Sequence, residues 1–574
     1  MADPIELLVE ELKDDDIETR IAAMKRLRTI GIALGPDRAR AELLPFLLEC
    51  TEGDDEVLMA LAEQLGGFVE LVGGPQYAPN VLRVLEVLCE VEETCVREKA
   101  VISTHQVADK ISDDLIQTEI IPIVKRLGSG DWFTPRISSA SLIPACYARA
   151  GGQQHDLIDL LKLFAQDDMP MVRQAAFDSM AKILPAAGAS VFKSELRGLF
   201  ENLVHDEQDT IRCLLVDNCI SIGKIVAANE AAEMALPIAR SLSEDNSWRV
   251  RLAIAKNIDA VMKALGKSAA ASDLADSFEQ LLSDIELEVR SAALDKLGDV
   301  GAIIGADTVV EKILPTLKEL CLDAEQRVRI KLAGALGALA KVLGKDGTKS
   351  QVIPLMTKLL EDETTEVRVN VIDSAVSVSE VVGADSISQT VLPKIIASMQ
   401  DKQWRVREAI VRNAPALGSV LGVDVFGSKL LSLLLEALAD SVQKIRSSAV
   451  ETIQPLSKNF GWDYVYKNFL SKALSLFEEK KYYLHRMTSI YSVMEASSVA
   501  PKNVVTETLL PIVIKSFADP VPNIRILACK AVVKIAPFAD ASALQSRVKA
   551  RMQELSQDKD DDVRFFAGEA LSHM

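Results

Sequence analysis

The sequence predicts an all-α protein built as a solenoid of short helix pairs, and three observations predict it. The first is a repeat: the segment NSWRVRLAIAKN at residues 246–257 returns as KQWRVREAIVRN at 402–413, and Trp248 and Trp404 stand 156 residues apart, four times 39. The second is composition, with 49% apolar residues but only 5% aromatic. A core of Leu, Ile, Val and Ala suits packed helices better than sheets, which lean on aromatic and β-branched side chains. The third is length, because units of 39 residues fill all 574 positions about fifteen times and leave no room for a separate catalytic domain.

The register is read from the second arginine of WRVR. It recurs at Arg20, Arg97, Arg136, Arg173 and Arg212, then every 39 residues from Arg251 to Arg446, and finally at Arg486, Arg525 and Arg564. Leu58 takes its place in the second unit, and the step from Arg136 to Arg173 is two residues short. Each unit opens with an amphipathic helix. In VLPKIIASM, Val391, Leu392, Ile395, Ile396 and Met399 share one face. A proline fourteen residues before the marker, as at Pro122, Pro237, Pro315, Pro354, Pro393 and Pro511, predicts a repeated bend, since proline removes a helical hydrogen bond.

A turn follows, usually with Asp six residues before the marker, placed so that its carboxylate accepts N–H groups at the start of the second helix. That helix buries Val406, Ile410, Leu417 and Leu421 in the KQWRVREAIVRN unit. Glycine closes it, as at Gly422, where a left-handed C-cap costs least. The recurring Asp and Arg predict a ladder between adjacent units that fixes their offset, with each exposed pair worth about 0–1 kcal/mol. One unit cannot bury its apolar face alone, so neighbours must stack into a superhelix.

The net charge of −19, spread along the chain, opposes a nucleic-acid partner. No apolar run approaches the ~20 residues of a membrane span, and the acidic start MADPIELLVEELKDDD lacks the features of a signal peptide. Eight scattered cysteines without a CxxC pair suit free, buried thiols in a reducing compartment. The five histidines form no HxxxH, HxH or His-Glu pair, and no phosphate loop or GxSxG elbow occurs. The expectation is therefore no catalytic residue, no metal and no cofactor.

Trp132, Trp248 and Trp404 all fall in the turns within units. Two readings are open for them. An indole can plug the end of the core, or, on a rigid turn among Asn246, Ser247, Arg249, Lys402, Gln403 and Arg405, it can serve as a protein-binding hot spot. Trp462, in FGWDYVY, is expected in the core.

The bent first helix, Asp turn and Val-Arg second helix resemble the HEAT repeat. The phrases LMALAEQLGGFVELVGGP (58–75), VEETCVREKAV (91–101), IVKRLGSGDWFT (123–134), the two WRVR turns, YLHRMT (483–488) and LLPIVIKSFADPVPNIR (509–525) resemble, more narrowly, the scaffold (A) regulatory subunits of protein phosphatase 2A, in register through all fifteen repeats. The resemblance implies a non-catalytic scaffold in a heterodimer with the phosphatase catalytic subunit, and in a heterotrimer with an exchangeable B-type regulatory subunit. It implies that residues of about 388–574 (units 11–15) meet the catalytic subunit, through Trp404, Arg405, Tyr483, Pro520 and Val521. Residues of about 1–310 (units 1–8) would hold the regulatory subunit through Glu92, Glu93, Trp132, Asp168, Pro170, Met171, Trp248 and Arg249.

The same resemblance implies a cytoplasmic and also nuclear location. The turn before Tyr483, FEEKKYY, departs from the pattern, with two lysines where an Asp-Pro pair is usual. An importin-β-like transport adaptor is the alternative within the fold, although its repeats are irregular and it usually carries an acidic insertion. A HEAT-fold metal-dependent hydroxylase would need the His-Glu pairs that are missing.

Overall fold

Helix pairs recur through the computed structural model, which describes residues 4–266, 273–478 and 482–573; no strand occurs among them. They gather into two compact units, Met1–Leu281 and Leu282–Met574. The second helices of the repeats are the long ones: Trp248–Leu265, Thr365–Val382 and Trp404–Leu421 each run 18 residues. In the last of these Val406, Ile410, Leu417 and Leu421 are buried, as the spacing requires. On the preceding first helix Val391, Leu392, Ile395 and Met399 are buried too, while Ile396 stays partly open. The all-α solenoid of stacked helix pairs is the fold that the periodicity predicts.

Three local details differ from the sequence reading. Gly422 ends its helix at φ 84°, ψ 164°, and Gly383 and Gly305 do the same. The positive φ is as expected, but ψ is extended, so the cap is not left-handed helical; the chain leaves the helix in one extended step that glycine alone adopts readily. The next helical segment, Val423–Val425, begins at once.

Proline, secondly, is not what usually interrupts the first helix: Pro237 does stand inside Ala228–Ser243 and Pro393 is second in Leu392–Ala397, but elsewhere a wider turn comes first. Five-residue π turns at Ile116–Ile120, Val309–Ile313, Thr348–Val352 and Val505–Leu509 precede Pro122, Pro315, Pro354 and Pro511. Those prolines stand second in the α-segments that follow. The same π turn forms at Phe192–Leu196, Phe426–Leu430 and Leu544–Val548, where no proline follows. The widened turn interrupts the α-helical hydrogen bonding with or without proline, and proline fits after it because a missing N–H costs little in the first turn of a helical segment. In the short unit after Arg136, 3-10 turns at Tyr147–Arg149 and Gly151–Gln153 lead straight into Gln154–Phe164.

Thirdly, the ladder is mostly buried rather than exposed. Within Met1–Leu281, Arg136, Arg173 and Arg212 reach Asp167, Asp206 and Asp245 of the following repeat at 2.7–2.8 Å. Within Leu282–Met574, Arg290, Arg329, Arg368, Arg407, Arg486 and Arg525 reach Asp323, Asp362, Asp401, Asp440, Asp519 and Asp558 at 2.7–3.2 Å. The remaining guanidinium nitrogen turns back: Arg329 Nη1 donates to the Asp323 carbonyl at 2.7 Å. Each Arg thus ties its own turn to the next one. The rung is missing at Arg97, which is only 5% exposed, because Gly130 stands where the next Asp would be. All eight cysteines are free, but Cys50, Cys95 and Cys213 are only partly buried. Burial pushes the Cys89, Cys146, Cys219 and Cys529 thiols up to about 12.

Candidate protein-binding turns

The turns between first and second helices are held from both sides, and that rigidity starts with the ladder Asp. Asp245 Oδ1 accepts the Ser247 N–H at 2.8 Å, while its two oxygens accept from Arg212 Nε and Nη2 at 2.7 and 2.8 Å. Arg251 Nη1 donates to the Asp245 carbonyl at 2.8 Å and to the Asn246 carbonyl at 3.2 Å. Burial pushes the Asp245 carboxyl up, but the Arg212 bond and the Ser247 N–H together leave it below the usual carboxylate range. It stays charged, and the turn stays closed.

In Met1–Leu281, Trp248 is the first residue of its helix and its indole is 39% exposed. The Arg249 guanidinium lies 6.0 Å from the ring centre, within cation–π range, and 3.9 Å from Asp209. Trp132 precedes the helix Phe133–Cys146 and is 77% exposed. Pro170 opens Pro170–Val191 with Asp168 and Met171 exposed beside it. Glu92 and Glu93 are exposed before Thr94–Ala108, and Arg97 donates to the Glu92 carbonyl.

In Leu282–Met574, Trp404 begins Trp404–Leu421 and is half-buried, with the Arg405 guanidinium 4.8 Å from its ring centre. The turn is closed as in the first unit: Asp401 accepts the Gln403 N–H at 2.8 Å and Arg368 at 3.0 Å. Tyr483 opens Tyr483–Ala496 and is exposed; the lysines of its turn, Lys480 and Lys481, lie outside the described residues. Pro520 is exposed and Val521 partly so, the Val521 N–H bonding Asp519 at 2.9 Å. Every one of the thirteen residues picked from the sequence therefore lies at a turn or in the first residues of a second helix, with some surface open.

Two features escaped the sequence reading. Ile285 is 87% exposed and Leu322 is also exposed, on the neighbouring turns joined by Arg290 and Asp323. The signal was an aliphatic residue just after or before the ladder Asp, where most units carry a polar one. Trp462, expected in the core, is half-buried at the start of Trp462–Val465 and packs 5.7 Å from Tyr466.

Among the described residues one group could approach a metal: His155, Asp159 and Glu195, all with open surface. The Lys162 ammonium already pairs with both carboxylates, so a cation would have to displace it. No described helix is long and apolar enough to cross a membrane.

Stacked helix pairs, an Arg–Asp ladder and pinned turns define a HEAT-repeat protein. A HEAT-repeat family model matches residues 509–539, one described as PPP2R1A-like HEAT repeat matches 267–344, and a PIK3R4-like middle domain matches 344–463. The particular resemblance is to the A-type regulatory subunits of protein phosphatase 2A. The chain is 40% identical over 234 residues to the A-type regulatory subunit of protein phosphatase PP2A from Saccharomyces cerevisiae, covering 39% of this chain and 37% of that one. It is 41% identical over 228 residues to the Schizosaccharomyces pombe protein of the same description, covering 39% of each. To the beta isoform of the human 65 kDa A-type regulatory subunit it is 45% identical over 185 residues, 32% of this chain and 31% of that one. The matched stretch thus spans less than two-fifths of these relatives' length.

Among solved structures, yeast importin-β (Kap95p) is similar with a TM-score of 0.57 at 12% identity, over 99% of this chain and 80% of that one. Kap121p bound to Ste12p is similar with a TM-score of 0.58 at 14% identity, over 97% of this chain and 59% of that one. At such identities the likeness is one of fold alone, and it lends the transport-adaptor alternative no weight.

Proposed function

We propose that this chain is a non-catalytic scaffold of a protein phosphatase 2A assembly. It holds the phosphatase catalytic subunit on turns of about residues 388–574 and an exchangeable regulatory subunit on turns of about residues 1–310. One observation carries the reading: Trp248–Arg249 and Trp404–Arg405 are the same device, an indole and a guanidinium side by side at the head of a helix whose turn is closed by an Arg–Asp rung. Ordering such a pair against a partner costs little entropy because the turn is already fixed. Relatives named as regulatory subunits support the scaffold role and supply the partner's identity.

The test uses the whole chain with purified partners. Trp404→Ala is expected to weaken catalytic-subunit binding, and Trp248→Ala regulatory-subunit binding. Each should lose about 2 kcal/mol, roughly thirtyfold in Kd. Melting should change little; an indole that merely plugs the core would instead cost about 3–5 kcal/mol of stability. Equal loss of both partners in either variant, or a loss that only tracks unfolding, removes the two-site scaffold reading. The free chain should also hydrolyse no phosphoprotein, and turnover by it alone would contradict the proposal.

A further inference from the structure

Two cavities of about 210 and 360 Å³ meet at Ser447, Val450 and Tyr491 in Leu282–Met574. They form one groove across the second helices Gln443–Glu451, Tyr483–Ala496 and Pro522–Ile535. Tyr483 and Met487 line one end, and Phe538, itself exposed, lines the other. Between them Val450, Leu484, Met487, Tyr491 and Met494 give the groove an apolar floor, with polar side chains around it and Arg446 at the Tyr483 end.

The charges facing the Phe538 end are Glu451 on one helix, Glu495 on the next and Lys534 on the third. Neither carboxylate makes a hydrogen bond or ion pair among the described residues. Burial first, and the Glu451 charge second, push the Glu495 carboxyl above its usual range, while Lys534 draws it back. One cation does not settle two carboxylates. A neutral or acidic segment laid over this end would bury two carboxylates against a single ammonium, whereas a cationic one would supply the missing charge.

We propose that this groove seats a segment of the phosphatase catalytic subunit that lays an apolar side chain on Met487 and Tyr491 and places a Lys or Arg between Glu451 and Glu495. The inference rests on the preceding reading for the partner's identity and on charge complementarity for its chemistry. Tyr483 links the two, since it stands at a turn of the proposed binding surface and also lines the groove. The groove adds what the turns lack, an apolar seat with a fixed sign of charge at one end.

The experiment measures, in low and high salt, how the full chain binds purified catalytic subunit. Replacing both carboxylates, Glu451→Gln with Glu495→Gln, is expected to weaken binding about tenfold at low salt and to flatten its salt dependence. Tyr491→Ala should weaken it by a similar factor, and Tyr491→Phe should restore most of it. The Gln pair relieves a repulsion, so its melting should not fall. If Trp404→Ala weakens binding while the Gln pair and Tyr491→Ala bind as the parent does with the same salt slope, the groove is unused and the scaffold reading stands. If the groove variants lose the regulatory subunit instead, the assigned occupant is wrong. If the parent chain captures no catalytic subunit, the scaffold reading itself falls and takes the groove with it.

Discussion

At the scale of single residues, what decides a role is how much of a side chain is already spoken for. Trp132 keeps three-quarters of its surface, so Trp132→Ala should leave the melting temperature nearly unchanged while weakening the hold on the proposed regulatory partner. Gly422 is the opposite case. An added Cβ would meet nothing within 4 Å, yet φ is +84°, so Gly422→Ala tests backbone strain without a packing penalty. It should cost about 1–3 kcal/mol, read as a lower melting temperature for the second compact unit. Ala at a glycine inside a helix with helical φ and open space, Gly568, should be neutral or stabilising by comparison. The sequence shows that a glycine closes these helices, but residue type alone does not set ψ. The extended step at ψ 164° is dictated by where the next helix must start.

At the scale of elements, the ladder governs stability. Arg329 and Asp362 have side chains only 9% and 8% exposed, so removing one partner strands a buried charge. Arg329→Met should cost about 3 kcal/mol, and more than Arg97→Met, because Arg97 has no carboxylate in the next repeat to leave behind. Melting of the two variants checks this, and an equal loss would show that the rung contributes nothing. The same pair sets a pH dependence. Burial pushes the Asp362 carboxyl up, but the Arg329 bond and the Thr364 N–H hold it below its usual range.

A folded pKa below the unfolded value of about 3.9 means the bond stabilises fully above that pH. The contribution is lost as pH falls through the lower folded value. Melting should therefore drop steeply below about pH 4 in the parent and less steeply in Asp362→Asn. The ladder was legible in the sequence because one Arg and one Asp recur at fixed spacing. The π turns were not: Phe192–Leu196, Phe426–Leu430 and Val505–Leu509 each bury their first and fifth residues, and apolar residues four apart suit an ordinary α-helix equally well. The thirteen turn residues were found through position and resemblance together. The groove at Tyr491 was missed because its residues come from three different repeats and share no single motif.

At the scale of the whole molecule, contacts in a repeat array join neighbours, so stability is close to a sum of local terms rather than one cooperative total. The four tryptophans allow that to be measured. Trp132 and Trp248 report on Met1–Leu281, and Trp404 and Trp462 on Leu282–Met574. Variants that keep one tryptophan each should give urea transitions whose midpoints differ between the two pairs. Each slope should be shallower than a cooperative globule of 574 residues would show, since less surface is exposed at once. Adding Arg329→Met should then lower the midpoint seen at Trp404 and leave that at Trp132 where it was, because the broken rung lies in the second unit. A chain with a single core behaves otherwise: all four probes would report one midpoint, and the substitution would move them together. Coincident transitions would mean that coupling along the stack is strong enough to override the local sum. In that case a partner seated at one end would also stabilise the other.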